Sequence, residues 1–141
     1  MTKSHNVLVT GGAGYIGSHA VLALKDAGHN AVVIDNLTTG FRSALPNDAP
    51  FYEGDIADEA LLARIIENER IEAIMHFAGS IIVPESVEKP LKYYRNNTAN
   101  SRSVIESAIT CGAKHFIFSS TAATYGIPEE SPVREATPTL P

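Results

Sequence analysis

The chain has 141 residues, 44% hydrophobic and 19% charged, with a formal net charge of −5. That size suits one domain with one core, and the composition is ordinary for a folded chain. The charge weighs against nucleic acid or an anionic membrane as a partner, no apolar run approaches the ~20 residues that span a bilayer, and the opening MTKSHNVLVTGG lacks the layout of a signal peptide. A single cysteine, Cys111, excludes an internal disulfide and suits a reducing cytoplasm.

Asn6–Thr10 (NVLVT) is β-branched-rich and bounded by glycines, which predicts a buried strand. After the glycines, Ile16, Ala20, Leu22 and Leu24 fit a helix ending near Gly28. Ala31–Ile34 is a second buried strand ending at Asp35. Residues 36–50 form a polar loop with room for one helical turn, and Phe51–Glu53 is a brief third strand. Asp58 can cap a helix from Glu59 to about Glu69, with Leu61, Leu62, Ile65 and Ile66 facing inward. A fourth strand is expected over Ile71–Phe77, a helix after Pro84, a long helix from Pro90 to Cys111, a fifth strand over His115–Ser119, and a proline-rich loop from Thr121 onward.

Strands alternating with helices imply parallel βαβ units, and near-continuous apolar strands imply a sheet covered on both faces. The expected fold class is α/β, a doubly wound, mostly parallel Rossmann-type sheet with helices on both faces. The stretch VLVTGGAGYIGSHAV places Gly11, Gly12, Gly14 and Gly17 at the first strand-to-helix turn. It reads as GxGxxG from Gly12 or GxxGxxG from Gly11. In either register one glycine permits the turn, one lets backbone N–H groups approach a pyrophosphate, and Gly17 lets the helix pack on the sheet. The phosphates then meet a helix N-terminus, where unpaired N–H groups and the macrodipole favour anions. Asp35 lies 18 residues after Gly17, near the expected ~20 for an acid that accepts both adenosine ribose hydroxyls. Such an acid repels a 2′-phosphate, so NAD is expected over NADP. No Lys-Ser/Thr pair follows the glycines, which argues against an NTPase. The histidines and Cys111 show no metal-ligand spacing. His76 reads as structural.

TGGAGYIGSH, DN at 35–36, EGDI at 53–56, HFAG at 76–79, ES at 85–86, KPLKYYRNN at 89–97 and FSSTAATYG at 118–126 occur in that order. Together they resemble the extended short-chain dehydrogenase/reductase family, and within it the UDP-glucose (UDP-galactose) 4-epimerases, over essentially the whole chain. The resemblance implies that NAD takes a hydride from sugar C4, the 4-keto sugar turns over, and the hydride returns to the other face. It also implies a UDP-sugar substrate and a homodimer of the full-length protein, formed by the helix after Pro84 and the Pro90–Cys111 helix.

Residue by residue, the resemblance puts Gly11, Gly14 and Gly17 in the phosphate loop, with Tyr15 and Ile16 next to it. Asp35 and Asn36 take the ribose-binding positions, and Leu37, Thr38, Thr39 and Gly40 flank the adenosine. Asp55 and Ile56 match the adenine-edge contacts, although Asp55 also reads as a cap for the turn after Gly54. Phe77, Ala78 and Gly79 end the fourth strand where a cofactor lies, followed by Ser80 and Ile81. Ile81 stands where the family often has a lysine. Asn96 matches an asparagine that holds the fourth-strand loop and cofactor, against the plainer reading of Asn96 and Asn97 as exposed polar residues. Ser119 shapes the cofactor pocket. Thr121 matches the catalytic Ser/Thr that bonds the sugar O4, and otherwise reads as an ST-turn residue.

The family's YxxxK motif does not occur in these 141 residues. Its tyrosine acts as acid/base and its lysine lowers the tyrosine pKa. Residues 1–141 therefore read as the NAD-binding Rossmann domain at the N-terminal end of a longer enzyme, binding NAD without catalysis by itself. Related 4,6-dehydratases commonly follow the catalytic threonine with Asp-Glu. Here Ala122 and Ala123 follow Thr121, which favours epimerisation over elimination. A non-catalytic NAD-binding module is the reading from another class.

Overall fold

β-branched runs shielded on both faces can pair in parallel only if helices cross over them, and a computed structural model describing residues 3–141 shows this arrangement. Five strands, β1 (Asn6–Thr10), β2 (Asn30–Asp35), β3 (Phe51–Glu53), β4 (Ala73–His76) and β5 (His115–Phe118), form one sheet in the order β3-β2-β1-β4-β5. Every pairing is parallel; Leu8 lies opposite Val32 on one side and Ile74 on the other.

The period-two alternation of strand side chains divides the core into two layers. Leu8, Val32, Ile34 and Ile74 pack with α2 (Glu59–Asn68), through Leu62, Ile65 and Ile66, and with α5 (Asn100–Thr110), through Val104 and Ala108. Val7, Val9 and Val33 face the other way, onto Val21 of α1 (Tyr15–Asp26). Helices thus cover both faces, as expected.

The Asp58 carboxylate caps α2 by accepting from the Leu61 N–H at 2.9 Å. Leu61, expected to face inward with its neighbours, is only partly buried at the edge of the core. On α1 the buried residues are Gly17, Ser18 and Val21, while Ile16 and Leu22 are exposed. The fourth strand is shorter than expected: Ile71 is buried in the turn after the left-handed Arg70, and pairing starts at Ala73. The expected helical turn in the 36–50 loop is a 3₁₀ turn at Arg42–Ala44.

The long helix expected from Pro90 to Cys111 is interrupted. After α3 (Val83–Glu88), α4 (Pro90–Tyr93) passes into one wide π turn at Tyr94–Ala99 and then into α5. Residues 94–99, YRNNTA, hold two asparagines whose side chains bond to backbone and hydroxyl groups outside the helix. Such residues compete with the regular ladder. The fifth strand stops at Phe118, one residue short of Ser119, and a 3₁₀ turn at Ala122–Tyr125 follows in what reads as loop.

Candidate functional site

From β1 the chain builds outward through β2 and β3, then returns to lay β4 and β5 on the other side. The crossovers diverge between β1 and β4, and the crevice beyond the carboxyl ends of those two strands is where open α/β sheets take ligands. The Phe77 N–H donates to the Thr10 carbonyl at 3.0 Å, which holds the two strand ends together.

Gly11 follows β1 with φ at +67°, and a Cβ there would lie 2.6 Å from the Ala78 nitrogen. Gly17, in the first turn of α1, sits so close to the loop that a Cβ would run into the Gly11 carbonyl oxygen. These two absences of side chain let the loop fold between the strand ends and the helix. Gly14 takes the N-cap position of α1, and no side chain caps that end. The first-turn N–H groups of Tyr15, Ile16 and Gly17 have no acceptor within the helix, because none lies a turn earlier. Tyr15 and Ile16 project into solvent beside them.

Asp35 ends β2 and is 8% exposed. One carboxylate oxygen accepts from the Ala13 N–H at 2.9 Å, the other from the Leu37 N–H at 2.8 Å. The side chain therefore ties the glycine loop to the loop after β2. Two of a carboxylate's roughly four acceptor positions are taken by these bonds and the others remain. Asn36 accepts from the Thr38 N–H and donates to Asp55 at 3.0 Å, linking the ends of β2 and β3. Asp55 also accepts from the Ala57 N–H at 2.9 Å, as a turn cap does. Leu37 has φ at +57° and packs partly on the core; Thr38 and Thr39 are exposed. Gly40 is buried against Ala13, and the Phe41 N–H donates to the Ala13 carbonyl at 3.0 Å. The Ile56 side chain is in the core layer with Leu62 and Ile74, so only its backbone can face a ligand.

On the β4 side, Ala78 packs against Gly11, while Gly79 and Ser80 continue outward and Ile81 is 87% exposed. Asn96 donates to Ser80 Oγ at 2.9 Å. Asn97, which the sequence offered only as an exposed polar residue, makes the closer engagement, bonding both the N–H and the carbonyl of Ser80 at 2.7 and 2.8 Å. Tyr93, also missed, accepts from the Ile82 N–H at 3.1 Å. The available signal was two adjacent asparagines in the middle of a predicted helix, a position that suits them poorly.

Beneath the crevice a buried polar chain joins three elements. Thr10 Oγ1 accepts from the Ala78 N–H at 3.4 Å and lies 2.6 Å from His76 Nδ1, while His76 Nε2 lies 2.8 Å from Ser101 Oγ. In the neutral ring one nitrogen donates and the other accepts, so each of these two hydroxyls has a ring partner. Burial pushes the His76 imidazole down to about 4. At 1% exposure it is a structural histidine, as its sequence position suggested.

After β5, the Ser119 N–H donates to the His76 carbonyl at 3.1 Å. Thr121 starts the 3₁₀ turn, and its Oγ1 accepts from the Ala123 N–H at 3.2 Å, the ST-turn geometry. Among the described residues no side-chain hydrogen bond links Thr121 to the glycine loop or to Asp35, and no His/Cys/Asp/Glu group could hold a metal ion. A concavity of about 380 Å³ lined by Lys25, His29, Asp48 and Glu69 opens at the amino ends of the strands, away from the crevice.

The pattern of the NAD dependent epimerase/dehydratase family matches residues 7–141. The chain belongs to that family. Relatives within it include a UDP-glucose 4-epimerase of Azospirillum brasilense, 57% identical over 138 residues, or 98% of this chain and 40% of that protein. A UDP-glucose 4-epimerase of Lactobacillus helveticus is 51% identical over 96% of this chain and 41% of its own length. The crystal structure of the Brucella ovis UDP-glucose 4-epimerase in complex with NAD superposes with a TM-score of 0.86 at 45% identity, covering 98% of this chain and 42% of that one. The chain thus spans about 40% of the length of the curated relatives it matches.

Proposed function

We propose that residues 1–141 form the NAD-binding domain of a UDP-glucose 4-epimerase. The observation that carries this reading is the glycine loop: a strand end, a left-handed Gly11, an uncapped helix start and a buried Asp35 converge on the β1/β4 crevice. The residues present fit the cofactor. Gly11, Gly14 and the α1 amides would hold the pyrophosphate. The free acceptor positions of Asp35 would take the adenosine ribose hydroxyls, with Asn36 and the 37–40 loop beside them. Asp55 and the Ile56 backbone would border the adenine, and the segment Phe77–Ile81, braced by Asn96 and with Ser119 alongside, would line the nicotinamide half.

The chemistry that bound NAD supplies is reversible hydride transfer at sugar C4. Thr121 would orient the UDP-sugar by a hydrogen bond to O4. Its hydroxyl accepts only one bond within the ST-turn, so its proton is free to donate. With no YxxxK sequence among the 141 residues, the chain lacks the family's acid/base pair, and by itself it would bind NAD without turnover. Ala122 and Ala123 after Thr121 favour epimerisation over dehydration. Val87, Leu91 and Ile109, exposed on α3, α4 and α5, support association with a second copy of the full-length protein. The single cysteine supports a cytoplasmic setting; among the described residues no helix is long and apolar enough to cross a membrane.

Calorimetric titration with NAD and NADP tests the cofactor reading. NAD is expected to bind and NADP to bind more weakly. Asp35→Ala should cost about 1–3 kcal/mol of NAD affinity through lost charge-assisted hydrogen bonds. No NAD uptake by the folded chain would overturn the reading. An extended chain that includes a family-type YxxxK segment should interconvert UDP-glucose and UDP-galactose, and the 141-residue chain should not.

A further inference from the structure

We propose that Asn97 and Tyr93 are positioning residues that set the backbone of Ser80–Ile82 against the cofactor crevice, a proposal that rests on the NAD reading above. The pairings of β4 end at His76, so beyond the strand the sheet supplies no ladder for the peptide groups of Ser80–Ile82, where Ser80 is half-buried and Ile81 and Ile82 are exposed. Two side chains supply partners instead. The Asn97 amide closes on one residue from both directions: Oδ1 accepts from the Ser80 N–H at 2.7 Å and Nδ2 donates to the Ser80 carbonyl at 2.8 Å. One turn earlier, the Tyr93 hydroxyl accepts from the Ile82 N–H at 3.1 Å, and its proton lies between the Ile82 carbonyl at 2.8 Å and Glu85 at 3.0 Å. Lys92 bonds Glu85 at 2.8 Å, which keeps that carboxylate ionised as an acceptor.

The π turn explains how one helix serves this segment. Successive residues of a regular α-helix point about 100° apart, so adjacent asparagines do not meet one target. In the widened Tyr94–Ala99 turn both Asn96 and Asn97 reach Ser80, one at its hydroxyl and the other at its peptide groups. Such interruptions cost regular helix hydrogen bonding and recur at functional positions. Here the result is a loop anchored on both sides of Ile81, next to Ala78 and Gly11 at the crevice floor.

The test uses the full 141-residue chain. Asn97→Leu removes both bonds at similar size. Asn97→Asp keeps the acceptor for the Ser80 N–H and loses the donor to its carbonyl. Tyr93→Phe removes the Ile82 contacts, and Arg102→Ala on the exposed face of α5 is the control. Asn97→Leu is expected to raise the amide exchange rate of Ser80 and weaken NAD binding about tenfold, with the urea midpoint matching the control. Asn97→Asp should fall between, and Tyr93→Phe should deprotect Ile82. Faster Ser80 exchange with an unchanged Kd for NAD would overturn the positioning role alone. Unchanged Ser80 exchange would overturn the anchor itself. If the wild-type chain takes up no NAD, the cofactor reading fails and the positioning role fails with it. Should Asn97→Leu not fold, Asn97→Asp and Tyr93→Phe carry the same comparison.

Discussion

Two loops border the same crevice and are built in opposite ways. The loop after β1 is shaped by what it lacks: Gly11 and Gly17 let backbone press on backbone, and a side-chain tie comes from Asp35. The loop after β4 is shaped by what reaches it from elsewhere: Asn96, Asn97 and Tyr93, 11 to 17 residues further along, bond its backbone and hydroxyl groups. The first is rigid by exclusion of volume. The second is held by individual hydrogen bonds in solvent. Damage to the first should therefore cost the fold, and damage to the second should cost position while sparing the fold.

The sharpest test of that contrast is Gly11→Val. A β-branched residue at φ +67° is strained, and its Cβ would press on the Ala78 backbone, which cannot swing aside. Urea denaturation should show a loss of about 3 kcal/mol or more, against less than about 1 kcal/mol for Asn97→Leu in its exposed site.

A comparable effect belongs to the polar chain beneath both loops. The His76 imidazole titrates near 4 in the folded chain, below its ordinary 6.5. As the pH falls below 6.5 the unfolded chain takes up a proton that the folded one refuses until about 4. Stability is therefore full above about pH 6.5 and is lost between there and pH 4, by roughly 3 kcal/mol. His76→Gln should remove this part of the pH slope, seen as the difference between two denaturation series. Parallel series would refute the assignment. The smallest effect is expected at Arg102→Ala, whose i,i+4 pair with Glu106 is exposed at both ends. It should shift stability by less than about 0.5 kcal/mol, and a larger loss would mean that the outer face of α5 is packed in solution.

The parts legible in the sequence were those governed by local pattern. Parallel pairing followed from alternating βαβ units, the glycine turn from its spacing, and the α2 cap from Asp58; the strand order β3-β2-β1-β4-β5 came from the structure. The interruption of the Pro90–Cys111 helix leaves no mark in the periodicity, which does not register a single extra residue in one turn, and the two asparagines in that turn bond a segment 16 or 17 residues earlier. Asn97 looked like surface for the same reason. Ile56 stands among the ligand contacts by motif, and the structure adds that its side chain is in the core, which leaves its backbone for that role.

By itself the sequence determined the parallel sheet, its two apolar layers and the turn that can receive a pyrophosphate, because each depends on backbone geometry and residues a few positions apart. Only the tertiary structure decided which side chains brace the crevice: Thr10 to His76 to Ser101 below it, and Asn97 and Tyr93 at its rim. Hydrogen bonds between distant segments depend on angstrom-level packing of helices on the sheet, and that packing leaves no periodic trace in the chain.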